Sequence, residues 1–409
     1  MKDELERITP ALFEEDSYTS CFTATVTKCS PVRYKERDCF AVVLDRTYFF
    51  PEGGGQTSDT GKIDEKEVFD VQTVEGEIVH YAAEPVAEGA TVNCLLDFEK
   101  RFRKMQAHSA EHLFCGLVHN RFGYENVGFH LADDIVTFDV SGVLEADELF
   151  AIEKEANDII YRNVPITVSF PSKEELQTIA YRSKLEFSGQ VRLVTIEGYD
   201  VCACCAPHVK STAEIGVLKI TDFFPHRGGT RITLIAGAGA YEDYYLLDRN
   251  NRAIMKLLSS KREETPAVLE RYMERTAALT QENLELKKKL TDIITKSTMA
   301  KLQERIDAGD DRPFVICPEA LDDVGMRNLI NRCCTLPFAG IVIGFLGDDT
   351  AGYRYIASPG SARNANAVPL QEFAKELNGA LNGRGGGNSQ MVSGRAACKK
   401  ADIEKFIGK

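Results

Sequence analysis

The alternation of hydrophobic and polar positions predicts strands through the first ninety residues. Cys21 to Lys28 and Cys39 to Leu44 are rich in Thr, Val and Phe, and Glu67 to Val74 and Ile78 to Ala82 follow, with Pro, Gly and Asp between them. Short strands separated by turn residues predict a small antiparallel barrel. After Asp97, a good N-cap, the pattern turns helical as far as Phe122, where Gly123 follows. A second helix is predicted from Ala146 to Arg162. Short strands come next, near Ile166 to Phe170, Val191 to Ile196, Val217 to Phe224 and Thr230 to Ala236.

From Tyr241 to Ile306 the pattern is helical, with a break near Pro266. Leu279, Asn283, Leu286, Leu290 and Ile293 follow one another by steps of four and three. That spacing fits a short coiled-coil seam with one polar position, and a homodimer through it, or a helix packed on its own domain. Further on, Phe314 to Cys317, Gly340 to Leu346 and Tyr353 to Ala357 read as buried strands, with helices near Leu321 to Cys334 and Leu370 to Asn382. The expected fold is a multidomain α+β chain. It divides into a β-barrel over 1–92, an α+β unit over 93–240, a helical linker or coiled coil over 241–311 and an α/β unit over 312–409.

Length and composition narrow the function. A chain of 409 residues holds two or three domains, and 44% hydrophobic with 27% charged residues excludes a mainly disordered one. No apolar run reaches membrane-spanning length. The polar start, Met1-Lys2-Asp3-Glu4, lacks the apolar core of a signal peptide, so the cytoplasm is expected. In a reducing compartment the twelve cysteines read as metal-binding or catalytic before they read as disulfides. The net charge of −13 counts against non-specific coating of nucleic acid, so any contact with one needs a local basic patch. Two runs qualify: Lys100, Arg101, Arg103 and Lys104 at the head of the first helix, and Arg384, Arg395, Lys399 and Lys400 in an acid-free stretch near the end.

The chemistry concentrates in three places. His108 and His112 stand four apart on the first predicted helix, one turn from each other on one face, which is the spacing two imidazoles need to share an ion. Cys202-Ala203-Cys204-Cys205-Ala206-Pro207-His208 gathers three sulfurs and an imidazole. Two His from a helix with Cys and His from a loop make a four-ligand tetrahedral zinc site. A buried cluster of small hydrophobes and a Cys202/Cys205 redox pair are the competing readings. Other zinc motifs fail on spacing, because Glu111 lies three residues after His108 rather than beside it. The third place is Pro51-Glu52-Gly53-Gly54-Gly55-Gln56-Thr57-Ser58. Its glycines let backbone approach a ligand, and Gln56, Thr57 and Ser58 offer donors and acceptors. A plain hairpin turn is the simpler reading of this run.

Taken together these motifs resemble the editing domain of alanyl-tRNA synthetase, in the same order: Pro51 to Gln56, His108-x-x-x-His112, Cys204-x-x-x-His208, then Thr212-Ala213-Glu214-Ile215-Gly216. Threonyl-tRNA synthetase editing domains are more distantly similar. Asn382 to Asn388 resembles the glycine-rich end of the DHH-associated domain that closes that synthetase. The chain begins almost at the barrel, leaving no room for an aminoacylation domain, and so resembles the long free-standing alanyl-tRNA editing proteins, the AlaX family. The resemblance implies zinc on His108, His112, Cys204 and His208, and hydrolysis of the ester of tRNA(Ala) mischarged with serine or glycine. Gln56 and Ser58 would read the cargo hydroxyl or hold water, Gly53, Gly54, Gly55 and Thr57 would line the substrate, and Arg384 would meet tRNA phosphate. Glu111 is either a general base or half of a helix-surface ion pair. The family usually has Cys-Gly-Gly-Thr-His where this chain has Cys204 to His208 with Pro207. The ligand spacing is kept, and which sulfur binds is left open among Cys202, Cys204 and Cys205. A non-catalytic tRNA-binding module with a structural zinc is the alternative function.

Overall fold

The computed structural model describes residues 8–133, 135–183, 190–318, 320–364 and 367–407; the N-terminal Met1 to Glu6 lies outside them. It is a mixed α+β molecule with several sheets, in two compact units, Met1–Ile254 and Met255–Lys409. Among the described residues no helix is long and apolar enough to cross a membrane.

The first unit opens with six strands: β1 (Cys21–Tyr34), β2 (Arg37–Leu44), β3 (Gly61–Ile63), β4 (Lys66–Val74), β5 (Glu77–Ala82) and β6 (Thr91–Leu96). They close in the order β1-β2-β5-β4-β3-β6, with β6 pairing back on β1 from Cys21↔Leu95 to Thr25↔Thr91. Strict alternation in β6, buried at Val92, Cys94 and Leu96, fills the interior with Val42, Phe49, Phe50, Ile63 and Val71. Register shifts near Val26 and Val68 bend the strands enough to close.

Asp97 then caps α1 (Phe98–Phe122), accepting from the Lys100 N–H, and Gly123 ends it in the left-handed conformation. From Lys104 to Val118 this helix is buried throughout. It is the axis of the unit. Over it lies a four-stranded sheet, β12-β13-β8-β7, built from β7 (Asn126–Ala132), β8 (Ile135–Val140), β12 (Leu218–His226) and β13 (Gly229–Ala236). Between β8 and β12 come α2 (Ala146–Arg162), β9 (Ile166–Ser169), a short α3 (Lys173–Leu176), β10 (Leu193–Ile196) and β11 (Asp200–Ala203), and β9 to β11 form a second small sheet. Strands β7 and β8 were not expected from the sequence. Val127 and Ile135 point to solvent while Leu131, Val136 and Phe138 point inward, and a register shift after Asn126 blurs the alternation. α4 (Gly237–Leu258) follows.

The second unit begins with α5 (Thr265–Asp307), 43 residues long. Pro266 sits in its first turn and starts the helix, so the break falls before it, at Ser259 to Glu264. The seam residues Leu279, Leu286, Leu290 and Ile293 are exposed, and they are not packed on their own domain. Beyond α5 come β14 (Phe314–Ile316), α6 (Asp323–Cys333), β15 (Ile341–Asp348), β16 (Gly352–Pro359), α7 (Leu370–Ala380), β17 (Gly383–Gly387), β18 (Val392–Ala396) and α8 (Lys400–Ile407). The strands form one sheet, β14-β15-β16-β18-β17. Alternate residues serve two cores: Ile343, Phe345, Tyr353 and Tyr355 meet α7 and α8, while Val342, Leu346 and Ile356 meet α6 and the end of α5. The predicted glycine cluster is thus an edge strand, exposed along most of its length.

Candidate metal centre

Helix α1 places His108 and His112 one turn apart, with ring centroids 5.1 Å from each other. The loop after β11 brings Cys204 and His208 against them. The four candidate ligand atoms lie within 4.8 Å of one another, and all four residues are buried or half-buried. Cys204 Sγ is 3.4 Å from His208 Nε2 and 3.7 Å from His108 Nε2. Zinc–sulfur and zinc–nitrogen bonds of about 2.3 and 2.0–2.1 Å in a tetrahedron put sulfur and nitrogen roughly 3.5 Å apart, so the set fits one zinc ion.

What surrounds the rings supports the same reading. Each imidazole has a polar group at its Nδ1, a hydrogen-bond partner for His108 and His208 and an ion-pair contact for His112. His108 Nδ1 is 2.7 Å from Gln56 Oε1, His112 Nδ1 is 3.3 Å from Asp200 Oδ2, and His208 Nδ1 is 3.0 Å from Ser109 Oγ. Metal-binding histidines are oriented in this way, with the second nitrogen held so that the first faces the ion. Asp200 is itself gripped by Arg182 at 2.7 Å, and although burial penalises its charge, His112 and Arg182 hold its carboxyl below the usual range. Burial, then the neighbouring His112 and His108, push the His208 pKa well below that of a free histidine. That ring is therefore neutral at physiological pH, the form a metal needs. Burial, together with Cys205 and Cys202, pushes the Cys204 thiol far up. A lone buried thiolate here is unfavourable without a cation beside it.

Close backbone approaches make the geometry reachable. Gly116, one turn beyond His112, is where β11 meets the helix, and a Cβ there would sit 2.7 Å from the Tyr199 carbonyl oxygen. At Gly55, φ is +88° and a Cβ would fall 2.4 Å from the Phe129 carbonyl oxygen. Gly54 and Gly55, both at positive φ, form the two-residue turn between Gly53 and Gln56, whose backbones exchange hydrogen bonds of 3.1 and 3.0 Å. The run is a hairpin turn after all, and the Gly53 N–H is spent inside it. The turn nonetheless delivers Gln56. Its backbone docks on β7 through Thr57 N–H to Leu131 O at 3.1 Å and Leu131 N–H to Gly55 O at 2.8 Å. Phe129 of β7 stacks on the His108 ring at 4.7 Å.

The other expected residues are distributed unevenly. Gln56 is fully buried, and its amide Nε2 has no partner among the described residues. Ser58 is turned to the barrel, donating to Asp70 Oδ1 at 2.6 Å and accepting from the Val71 N–H. Glu111 is not on a helix surface. It is 2% exposed, accepts from Asn126 Nδ2, and places Oε2 4.0 Å from His112 Nε2. α1 is covered on the side where a free helix would be wet. Cys202 lies on β11 beside His112 and Asp200, and Cys205 packs on the barrel core, so Cys204 is the sulfur among the three imidazoles. Arg384 lies in the second unit, where it is the cross-strand neighbour of Arg395.

Half of the basic run at the head of α1 points inward. Arg101 is fully buried and bound to Asp59, Ser17 O and Tyr48 O, and Lys104 is buried too. Arg103 pairs with Glu242 at 2.6 Å and Lys100 with Asp97 at 3.2 Å. The sequence reading missed Ser109, Asp200, Asn126 and Phe129. Ser109 and Asp200 had a weak signal in their closeness to ligand motifs, whereas Asn126 and Phe129 depend on a strand the pattern did not reveal.

Fold and site together define a class. Residues 191–233 match the model of the threonyl and alanyl tRNA synthetase second additional domain, and residues 8–100 match that of class II (A) tRNA synthetases. Over 90% of its length the chain is 27% identical to the alanyl-tRNA editing protein AlaX-L of Pyrococcus horikoshii, of which it covers 91%. It is 26% identical to the alanyl-tRNA editing protein Aarsd1 of Danio rerio over 96% of both chains. It is also 31% identical, over 86% of its own length, to 39% of the alanine–tRNA ligase of Methanopyrus kandleri. The chain's homologues over most of its length are thus alanyl-tRNA editing proteins, as the motifs implied.

Proposed function

We propose that this protein hydrolyses the ester of tRNA(Ala) carrying serine, with glycine as a second cargo, at a zinc centre held by His108, His112, Cys204 and His208. The observation that carries the reading is the convergence of these four side chains, each imidazole oriented through its Nδ1, beside a glycine turn that presents Gln56. Serine differs from alanine by a hydroxyl, which a synthetase pocket rejects weakly. A site built to hydrogen-bond that hydroxyl spares alanine by a large factor, on the order of 10⁴. Zinc held there would supply Lewis acidity toward a carbonyl, or lower the pKa of a water, at a position that Cys204 gives up on substrate binding. The Gln56 amide, with Oε1 on His108, is left to donate from Nε2 to the cargo hydroxyl or carbonyl. Glu111, fixed at Oε1 by Asn126, holds Oε2 toward the centre and takes a proton from the attacking water. Gly53, Gly54, Gly55 and Thr57 line the substrate, and Ser58 stiffens the turn through Asp70.

Arg384, Arg395 and Arg354 form an in-register row across β17, β18 and β16, offered to tRNA phosphate. A second copy of the chain joins through the exposed α5 seam, which sedimentation of the full chain at increasing concentration would report. Twelve free thiols agree with a cytoplasmic location.

The decisive assay incubates the full protein with seryl-, glycyl- and alanyl-tRNA(Ala), with and without a chelator. Rapid, chelator-sensitive loss of the seryl ester with the alanyl ester spared is expected. Four protein ligands leave no open position on the metal, which favours the second reading, a structural zinc in a tRNA-binding module. Stable esters in a zinc-loaded protein would establish that reading instead.

A further inference from the structure

One stripe of α1 grips the segment after the glycine turn at three successive points. Arg101, Lys104 and His108 lie three and four residues apart, on one face of the helix. Arg101 binds the Asp59 carboxylate at 2.9 Å. Lys104 Nζ donates to Ser58 O at 2.7 Å and to Thr57 O at 3.3 Å. His108 meets Gln56 at 2.7 Å. Helix and segment therefore run antiparallel, residue 101 against 59, 104 against 58 and 57, and 108 against 56.

The middle contact is chemically unusual. Lys104 is 5% exposed, and among the described residues no carboxylate lies within ion-pair distance of its ammonium. Burial holds its pKa below the ordinary lysine value, against the more distant pull of Asp59 and Asp133. A buried ammonium held only by two carbonyls is costly, and an apolar side chain of similar length would fill the space more cheaply. Stability of the helix does not call for it. Its two hydrogen bonds instead fix the carbonyls of the residues that immediately follow Gln56. They set where the Gln56 side chain starts, and so how His108 is turned.

We propose that Lys104 is a positioning residue for the metal centre, acting on His108 through the backbone of Thr57 and Ser58 and the side chain of Gln56. The proposal rests on the zinc reading of the cluster and does not depend on the tRNA substrate. Loss of an orienting partner lowers metal affinity by about 10–100-fold. Lys104 and Gln56 lie on one path, so their effects should not add.

The test measures zinc release from the full protein to a chelator for wild type, Lys104→Met, Gln56→Met and the double variant, beside urea unfolding of each. Each single variant is expected to release zinc roughly 10–100-fold faster. The double variant should match the faster single one, and Lys104→Arg, which keeps charge and donors, should recover most of the wild-type rate. Release from Lys104→Met at the wild-type rate would overturn the proposal. So would fold-changes that multiply in the double variant, since Lys104 would then act only through general stability. A wild-type chain that takes up no zinc overturns the zinc reading and this proposal with it, whereas intact esters in the tRNA assay leave both standing.

Discussion

His80 shows how strongly burial alone controls a titrating group. It is fully buried in the barrel, with Nε2 2.9 Å from Thr47 Oγ1 and Nδ1 donating to Val42 O at 3.1 Å. The neutral ring is satisfied on both nitrogens, and burial lowers its pKa to about 4. The folded pKa lies below the unfolded value of about 6.5. Acid therefore favours the unfolded chain. The contribution is complete above pH 6.5 and disappears as the pH falls toward 4, amounting to about 3 kcal/mol. Urea unfolding at pH 7.5 and 5 should show about 2 kcal/mol of this loss, and His80→Gln should flatten the profile relative to wild type. Parallel profiles would mean that other groups carry the acid sensitivity. At the metal centre burial acts on His208 in the same direction. His108 and His112 were legible from spacing, because i and i+4 on a helix is a local relation, whereas the sulfur beside His208 was left open among Cys202, Cys204 and Cys205. Asp200 and Ser109 were not legible, because hydrogen-bond partners on other elements leave no periodic trace.

At the scale of elements, the helices were the most legible. α1 and α2 follow their predicted limits, since the caps of α1 at Asp97 and Gly123 and the apolar stripe of α2 are written in adjacent residues. The glycine turn was legible as a turn, but its task depends on β7. Gly54 and Gly55 make the contrast measurable. A Cβ at Gly54 meets nothing within 4 Å, so Gly54→Ala bears only the left-handed strain of about 1–2 kcal/mol. At Gly55 the same methyl strikes the Phe129 backbone, so Gly55→Ala should lower the urea midpoint further and reduce bound zinc, read by metal analysis of the purified proteins. Equal effects from the two would show that the turn does not need its docking on β7. The head of α1 carries the opposite lesson. Four cations in five residues look like a surface patch, yet Arg101 and Lys104 point inward because the barrel segment supplies Asp59 and two carbonyls.

Across the whole molecule, a net charge of −13 makes any contact with RNA a local affair. With Arg101 and Lys104 of the α1 run buried and Lys100 and Arg103 paired at the surface with Asp97 and Glu242, the acid-free stretch near the C-terminus carries the expectation. Arg384 and Arg395 face each other across β17 and β18, where like charges repel unless an anion lies between them. Reversing Arg384 and Lys399 to Glu together should weaken tRNA binding and reduce its salt dependence while zinc content stays at wild type. Binding unchanged in a titration at two salt concentrations would move the tRNA contact elsewhere.

The sequence by itself determined the longer helices, most strands, the three candidate histidine ligands and the family resemblance, because each rests on neighbours in the chain or on motifs of a few residues. Tertiary structure alone decided which atoms those residues face. It closed six strands by pairing β6 with β1, and it buried Glu111 beside His112. It turned Ser58 toward Asp70 and made Lys104 part of the centre's support. Such contacts join residues from 12 positions apart, as Ser58 and Asp70, to as far apart as Cys21 and Leu95, and no local pattern of polarity encodes them.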